Sequence, residues 1–175
     1  MFYLIIFLIL FTVYFIFFVT QFYYLIFKGY APFVSTDRRT IKAIIGTLGD
    51  FQPQTVYELG CGRALFAQWA ERHWIQAQIY GVENSPSLFL LVRLGLRIRG
   101  GKIKLLKKDF FQVNLKDADL IYCYLNNATM AKLADKLKLE CRSGTVIVSR
   151  RFSLPSYTPY QTIVVSGQKI YFYKF

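Results

Sequence analysis

A glycine-rich loop preceded by an acidic residue is the stretch whose residue types and spacing could do chemistry. Gly60 and Gly62 follow the apolar, β-branched run 55–59, and a helical pattern begins at Leu65. This order predicts a strand, a tight loop and a helix N-terminus, which together hold nucleotide-like ligands in open α/β sheets. The glycines allow close approach of the backbone to a ligand, where a Cβ would collide. Glu58 can accept a hydrogen bond from a cationic amino group of that ligand.

Acidic residues also follow the next two predicted strands. A carboxylate at Glu83 can bind both hydroxyl groups of a ribose, and Asp109 can bind an adenine amino group while the Phe110 ring covers the base. Because the carboxyl ends of neighbouring parallel strands lie at one edge of a sheet, we expect these residues to share one ligand site with Glu58.

Each of these residues also has an ordinary structural interpretation. Glu58 or Glu83 could cap a nearby helix, and Asp109 could form an Asx turn. A dinucleotide is the alternative ligand, but its fingerprint needs a glycine three places after the second one, where Leu65 stands. With one histidine and no clustered cysteines, we expect no metal site.

Strand and helix patterns alternate along the chain, which predicts an α/β fold with a mostly parallel sheet and an antiparallel hairpin at its C-terminal edge. The first helix of this fold is expected at 37–48, capped by Ser35 or Thr36. The other predicted elements are strand 55–59, helix 65–72, strand 78–83, helix 85–98 capped by Ser85, strand 102–107, strand 119–124, a helix from Asn126 or Asn127 to 139, strand 145–149, and the hairpin 162–165 with 169–173.

The N-terminal stretch 1–27 contains no charged side chain. At ~1.5 Å per helical residue it is long enough to cross a hydrocarbon core of ~30 Å. A cleaved signal peptide is the competing interpretation, but a basic n-region is missing and no small-x-small cleavage site precedes Pro32. We therefore predict a transmembrane helix at 1–27, a linker at 28–36 and a domain at 37–175.

The charge distribution predicts how the chain is oriented. The formal net charge is +12, and Lys28, Arg38, Arg39 and Lys42 flank the C-terminal end of the apolar stretch. The positive-inside rule then places the chain after it in the cytoplasm, and three cysteines without paired spacing fit a reducing compartment. Such a charge could also indicate nucleic acid. Beside a membrane span we instead expect the lipid bilayer as partner, and no nucleic acid.

Together, the glycine loop and the strand-end acids resemble the S-adenosyl-L-methionine site of class I methyltransferases. The resemblance implies a Rossmann-like sheet and S-adenosyl-L-methionine as cofactor. The residues it implies for the cofactor site are Glu58, Gly60, Cys61, Gly62, Glu83, Asn84, Asp109 and Phe110. Ala64 stands at the third glycine of the usual pattern, a departure that would narrow the loop.

Three further stretches carry a closer resemblance. They are Pro32-Phe33-Val34-Ser35-Thr36, Glu83-Asn84-Ser85-Pro86-Ser87-Leu88 and Arg151-Phe152-Ser153-Leu154-Pro155-Ser156-Tyr157-Thr158-Pro159. They are similar to a membrane-anchored protein-lysine methyltransferase family whose mitochondrial members act on the adenine nucleotide translocase and the ATP synthase c subunit. The last stretch is the most specific, since it replaces the helix that most class I methyltransferases have after the fifth strand.

This closer resemblance implies roles for residues at both ends of the domain. Phe33 and Thr36 are implied to bind the cofactor, and Arg151, Phe152 and Pro155 to bind the substrate. The loop 125–127 departs from the small, proline-containing loop of the family, which leaves the substrate open.

The acceptor side needs groups that align a neutral amine with the methyl group and exclude water. Aromatic walls suit this because a ring face favours a cation by ~0.5–2 kcal/mol. The predicted catalytic residues are Tyr124, Asn126 and Tyr157. Tyr122 could instead be core packing, and Asn126 could only cap its helix. Arg150 and Arg151 could steer substrate, contact lipid or form a solvated rim.

The sequence therefore predicts a single-pass membrane methyltransferase that transfers a methyl group to nitrogen, with a lysine of a membrane protein as the favoured acceptor. A lipid or small-molecule methyltransferase is the first alternative. The second is a tethered module that binds the cofactor without catalysis.

Overall fold

The computed structural model describes residues 1–27 and 35–175, and within the first helix it describes the side chains of all but residues 21 and 24–27. The chain divides into two compact units, one containing the N-terminal helix and the other the α/β domain. Most of the predicted linker 28–36 lies outside the described residues, as does Phe33, so its predicted role at the cofactor stays a prediction.

The N-terminal unit contains helix α1 (Phe2–Phe27), which is apolar on every side. Its segment Phe2–Thr20 has a mean hydropathy of 2.8, and none of it is buried. The hydroxyl groups of Thr12 and Thr20 donate to carbonyl oxygens one turn earlier, at 2.8 and 2.7 Å, so these polar groups are satisfied inside the helix. Among the described residues this is the one helix long and apolar enough to cross a membrane.

Helices and strands alternate along the domain, as predicted, with small differences at their ends. The helices are α2 (Arg38–Leu48), α3 (Leu65–His73), α4 (Pro86–Arg99) and α5 (Asn127–Glu140), and a 3₁₀ turn covers Phe110–Gln112. The strands are β1 (Thr55–Leu59), β2 (Gln78–Val82), β3 (Lys104–Leu106), β4 (Leu120–Cys123), β5 (Val146–Arg150), β6 (Gln161–Val165) and β7 (Gln168–Lys174).

The strands form one seven-stranded sheet in the order β3-β2-β1-β4-β5-β7-β6. The first five are parallel, and β7 pairs antiparallel with both β5 and β6. This confirms the predicted Rossmann-like sheet with an antiparallel hairpin at its C-terminal edge. The carboxyl ends of β1, β2, β4 and β5 consequently meet at one edge of the sheet.

Two hydrophobic clusters cover the two faces of the sheet. One face of the sheet, called the α3 face, is covered by α2, α3 and α4. The opposite face, called the α5 face, is covered by α5. Side chains alternate between them, so that Val56 and Tyr122 lie on the α3 face while Tyr57 and Ile121 lie on the α5 face. By the same alternation Glu58 follows Val56 onto the α3 face.

The start of α2 differs from the sequence prediction. Asp37 is the cap, since its side chain accepts a hydrogen bond from the backbone N–H of Thr40 at 2.9 Å. The prediction of Ser35 or Thr36 was wrong because Thr36 is buried and its hydroxyl lies 2.6 Å from the hydroxyl of Tyr122. Ser85 occupies its predicted cap position before α4, but its side chain makes no capping hydrogen bond there.

Candidate active site

The glycine loop between β1 and α3 is fixed to the neighbouring strand by its backbone. The N–H of Cys61 donates to the carbonyl of Val82 at 2.9 Å, and the N–H of Ala64 donates to the carbonyl of Cys61 at 2.6 Å. Gly60 has φ +66°, and a Cβ there would come within 3.2 Å of Cδ2 of Leu125. The loop therefore needs glycine at this position, both for its backbone angle and for space.

Ala64, which stands where the usual pattern has glycine, adopts φ +52° and is fully buried. An L-residue in the left-handed region is strained by roughly 1–2 kcal/mol. Ala64 thus adopts a backbone conformation that is typical of glycine, and its methyl group packs into the α3-face cluster.

Glu83 joins the loop to the start of α4. Its carboxylate accepts hydrogen bonds from the backbone N–H groups of Gly62 at 2.9 Å and Ser85 at 2.8 Å. Burial raises the pKa of this carboxyl, while the backbone N–H groups of Ser85, Gly62 and Asn84 oppose the shift. Glu83 is therefore in contact with Gly62 and Asn84, two other predicted cofactor residues.

Glu58 is buried beneath the first turn of α3, where its carboxylate accepts a hydrogen bond from the N–H of Ala67 at 2.8 Å. The pKa of Glu58 is raised to about 8, mainly by burial and in smaller part by the charge of Glu83, while the N–H groups of Ala67 and Phe66 oppose the shift. Both glutamates thus make the helix-terminus contacts that the sequence allowed as their structural interpretation.

The thiol of Cys61 lies near both glutamates and close to Gly81 of β2. Burial and the charges of Glu58 and Glu83 raise its pKa well above the usual value, so the thiol stays neutral. A Cβ on Gly81 would come within 3.2 Å of its Sγ. Cys61 is therefore a packed part of the loop, and its predicted contact with the cofactor stays a prediction.

Asp109 and Phe110, which follow β3, make contacts within their own turn and with the cluster of the α5 face. Oδ1 of Asp109 accepts a hydrogen bond from the N–H of Phe111 at 3.0 Å, which is the Asx turn that the sequence left open. Phe110 is buried in the cluster of the α5 face, with its ring 4.6 Å from that of Phe111. The predicted adenine contacts of Asp109 and Phe110 remain predictions.

Two tyrosines of the α3 face occupy the carboxyl end of β4. Tyr122 is fully buried, and its ring stacks on Phe66 at 4.2 Å, which confirms its interpretation as core packing. Tyr124 is half-buried, and the guanidinium carbon of Arg150 lies 4.9 Å from its ring centroid. Asn126 caps α5, with Oδ1 accepting from the N–H of Thr129 at 2.9 Å.

The segment after β5 has its buried side chains on the α5 face of the sheet. Arg151 is exposed at φ +71°, with its guanidinium 5.2 Å from the Phe152 ring, and Pro155 is also exposed. Phe152 and Tyr157 pack against the α5-face cluster, and the ring of Tyr157 stacks on Phe175 at 4.8 Å. Tyr157 thus packs with the α5-face cluster while Tyr124 contacts Arg150, and the predicted catalytic role of Tyr157 stays a prediction.

Sequence reasoning did not foresee that Arg150 is buried at the end of β5. The side chain is only 6% exposed, so the interpretation as a solvated rim was wrong for this residue. Strand alternation was the available signal, because a residue two places after Val148 is expected on the same buried face.

Comparison with known proteins identifies the family of this arrangement. The model of the ANTKMT methyltransferase domain family matches residues 58–161, more than half of the 175-residue chain, from Glu58 into β6. The chain belongs to the ANTKMT methyltransferase domain family. It is therefore an S-adenosyl-L-methionine-dependent methyltransferase, as the loop and the strand-end acids predicted.

Two relatives are similar to this chain over most of its length. The chain is 25% identical over 138 residues to a protein-lysine N-methyltransferase of Saccharolobus islandicus, covering 78% of this chain and 86% of that protein. It is 26% identical over 144 residues to the adenine nucleotide translocase lysine N-methyltransferase of Mus musculus, covering 81% of this chain. The chain spans 62% of the length of the mouse protein.

Among solved structures, the fold is similar to that of an RNA methyltransferase from Salinibacter ruber in complex with S-adenosyl-L-homocysteine. The TM-score is 0.75 at 22% identity, covering 81% of this chain and 93% of that one. At this identity the likeness concerns the fold alone.

The residues of this chain fit the charge of the cofactor. Glu58 and Glu83 are two buried acids at one strand edge, and the ion pairs formed by the described residues, Lys136–Glu140, Arg142–Asp119 and Arg150–Asp37, involve neither of them. Burying two neighbouring acids without a cation is unfavourable. A ligand with a cationic amino group and a sulfonium group supplies the missing positive charge.

Proposed function

We propose that this methyltransferase is anchored in a membrane by α1 and modifies the side-chain nitrogen of a lysine in a membrane protein. The observation that carries the choice of lysine is that two relatives named as lysine N-methyltransferases match about four-fifths of the chain, at 78% and 81% of its length. The choice of a membrane protein is supported by the apolar segment Phe2–Thr20 and by the name of the mouse relative.

The cofactor's methionine portion is proposed to lie beside the glycine loop. Glu58 and Glu83 complement its positive charge, and Gly60 keeps the loop backbone free of a Cβ that would meet Leu125. When bound, the cofactor supplies a methyl group attached to a positively charged sulfur. The protein has to orient the acceptor and exclude water, which are effects of proximity and desolvation.

The acceptor is proposed to approach at the carboxyl end of β4. Tyr124 offers a half-buried aromatic wall there, on the same sheet face as Glu58. The ring face attracts the incoming lysine as its ammonium. A free lysine has a pKa near ~10.4, so the ammonium must lose a proton before the nitrogen can attack, and desolvation at the half-buried site favours the neutral amine.

The domain is proposed to face the cytoplasm. Lys28, Arg38, Arg39 and Lys42 follow α1 in the sequence, and the side chains of Arg38, Arg39 and Lys42 are exposed. Basic residues beside a span are retained on the cytoplasmic side and are attracted to anionic lipid.

The test is a methylation assay with the full-length protein, native membranes and S-adenosyl-L-methionine labelled in its methyl group. We expect label as methyl-lysine in an integral membrane protein. Label in extracted lipid would show that the acceptor is a lipid instead of a lysine. In a parallel assay with added RNA, label in the RNA would show that the acceptor is nucleic acid. No transfer despite cofactor binding would favour the non-catalytic module.

Two glycine variants separate catalysis from folding in this assay. Gly60→Ala and Gly100→Ala both place an L-residue at positive φ, at +66° and +68°, so each is expected to lose roughly 1–2 kcal/mol of stability. A Cβ at Gly100, the left-handed residue that ends α4, meets nothing within 4 Å, whereas one at Gly60 meets Leu125 beside the loop. We expect Gly60→Ala alone to weaken cofactor binding, by about tenfold or more. Equal binding by the two variants would remove the loop from the site.

A further inference from the structure

Arg150 is a buried cation that the cofactor site described above does not use. It is the last residue of β5 and is 6% exposed. Arginine is almost never this deeply buried unless it is paired. Its surroundings therefore indicate what the guanidinium is held there to do.

Three elements of the domain hold this guanidinium in place. Nε donates to Oε1 of Gln168, at the start of β7, over 2.9 Å. Nη2 pairs with Oδ2 of Asp37, the cap of α2, over 3.3 Å. The ring of Tyr124, just after β4, lies against the guanidinium with 4.9 Å from the centroid to the guanidinium carbon. The orientation of Arg150 is thus set from three sides.

The remaining nitrogen, Nη1, is buried and has no hydrogen-bond partner among the described residues. It is also the one buried side-chain nitrogen or oxygen of the described chain in this condition. A buried donor of a charged group without an acceptor is destabilising. A fixed donor of this kind is suited to an oxygen acceptor that arrives with a ligand.

Arg150 is connected to the cofactor side through a series of contacts that begins at Asp37. Asp37 follows Thr36, whose hydroxyl lies 2.6 Å from that of Tyr122, and the Tyr122 ring stacks on Phe66 in the first turn of α3. Burial is the main cause of the raised pKa of the Tyr122 hydroxyl, and among the nearby charges Glu58 raises it while Arg150 lowers it. An acid and a guanidinium with one unpartnered nitrogen thus act on the same hydroxyl of the α3 face, a combination that complements a zwitterion.

We propose that Nη1 of Arg150 binds a carboxylate oxygen of a ligand entering at this edge of the sheet. The proposal rests on the methyltransferase function and deepens it. Two ligands bring this chemistry: the cofactor, with the carboxylate of its amino-acid end, and the substrate, with an acidic group near the acceptor nitrogen. Arg150 then acts as a binding residue whose charge is matched to one end of its ligand.

The test uses calorimetric titration of the full-length protein in detergent with S-adenosyl-L-methionine and with decarboxylated S-adenosyl-L-methionine. If the cofactor supplies the carboxylate, the unmodified protein binds the first at least about tenfold more tightly, and Arg150→Met removes that difference. If the substrate supplies it, both affinities survive in Arg150→Met, while the KM for the acceptor rises at least about tenfold.

Two further variants keep the proposal falsifiable. Arg142→Met removes an exposed guanidinium paired with Asp119 before β4, and it should change neither ligand's affinity nor the KM. Arg150→Lys keeps the charge but replaces the three guanidinium nitrogens by one, so it cannot hold Gln168 and Asp37 and bind the carboxylate at once. It serves if the methionine variant fails to fold, and an intermediate loss of affinity is expected. Folded Arg150 variants with unchanged affinities and KM would overturn the proposal. Because the cofactor titration needs no acceptor, it can fail while lysine methylation stands.

Discussion

At the residue scale, the site is defined by two acids that are buried without a cation among the described residues. Glu58 and Glu83 are held by backbone N–H groups of α3 and of the residues before α4, and burial raises the pKa of both carboxyls. With a pKa of about 8, Glu58 is mostly protonated at neutral pH while no ligand is present. A cationic ligand favours the ionised form, so its binding must release a proton.

This coupling predicts that the affinity for S-adenosyl-L-methionine increases with pH. Between pH 6 and pH 7.5 the ligand's amino group stays largely charged. For each proton released on binding, the affinity rises by up to about tenfold per pH unit. Calorimetric titration across this range should show the slope, and Glu58→Gln should lose most of it. Glu140→Gln is the matched control, since that carboxyl pairs with Lys136 and its pKa is lowered. A wild-type affinity that is independent of pH would contradict the prediction.

At the element scale, Asn126 at the start of α5 caps this helix and also lies close in sequence to Tyr124, where the acceptor is proposed to approach. Asn126 follows the acceptor-side Tyr124 by two residues and accepts the N–H of Thr129 with its Oδ1. The two roles that the sequence left open for Asn126 are therefore separable by variants that keep or remove the capping oxygen.

Asn126→Ala is expected to lower the free energy of unfolding by about 1 kcal/mol, because α5 loses its cap. Asn126→Asp keeps the accepting oxygen and should retain this stability. Denaturant unfolding and methylation rates, measured on both variants, separate the roles. If Asn126→Asp is as stable as the original protein but slower in methyl transfer, the amide acts on the acceptor. Full activity of Asn126→Asp would leave Asn126 as a helix cap alone.

The chain after β5 shows how an element can separate residues that the sequence places together. Arg150 and Arg151 are neighbours, yet the first is buried on the α3 face and the second is exposed. Arg151 adopts a left-handed backbone with φ +71°, and the segment after it packs Leu154 and Tyr157 on the α5 face. One residue step at the end of β5 thus divides two arginines between a buried and an exposed environment.

At the scale of the whole molecule, α1 and the domain have opposite surface characters. Residues 1–27 carry no charged side chain, and the formal net charge of +12 lies entirely in the rest of the chain. An apolar helix joined to a basic domain is expected to hold that domain at an anionic lipid surface. Confinement to one surface raises the effective concentration of an enzyme relative to a membrane-embedded substrate.

Removal of residues 1–27 is therefore expected to slow methylation of a membrane-embedded substrate by about a hundredfold or more, while methylation of a soluble peptide with the same lysine changes little. Initial rates on the two substrates give the comparison. An unrelated apolar helix of the same length in place of α1 should restore the rate on the membrane substrate. Equal losses on both substrates would show that α1 contributes to the domain itself.

The sequence by itself determined the order of elements, the parallel sheet with its antiparallel hairpin, and the glycine loop with its adjoining acids. These features depend on local patterns: alternation or continuity of apolar residues, and glycine or proline at the ends of elements. The contacts of Glu58 and Glu83 were foreseeable for the same reason, because both lie within a few residues of the strand ends and helix starts that position them.

Only the tertiary structure decided which distant residues meet. Thr36 and Tyr122 are 86 positions apart, and Asp37 and Arg150 are 113 apart, yet each pair is joined because α2 packs on the α3 face of the sheet, with its first residues at the ends of β4 and β5. The same packing made Asp37 the cap in place of Thr36, and it buried Arg150 with one nitrogen that has no partner among the described residues. Local periodicity carries no information about these pairings, since they depend on strand order and on how the helices cover the sheet.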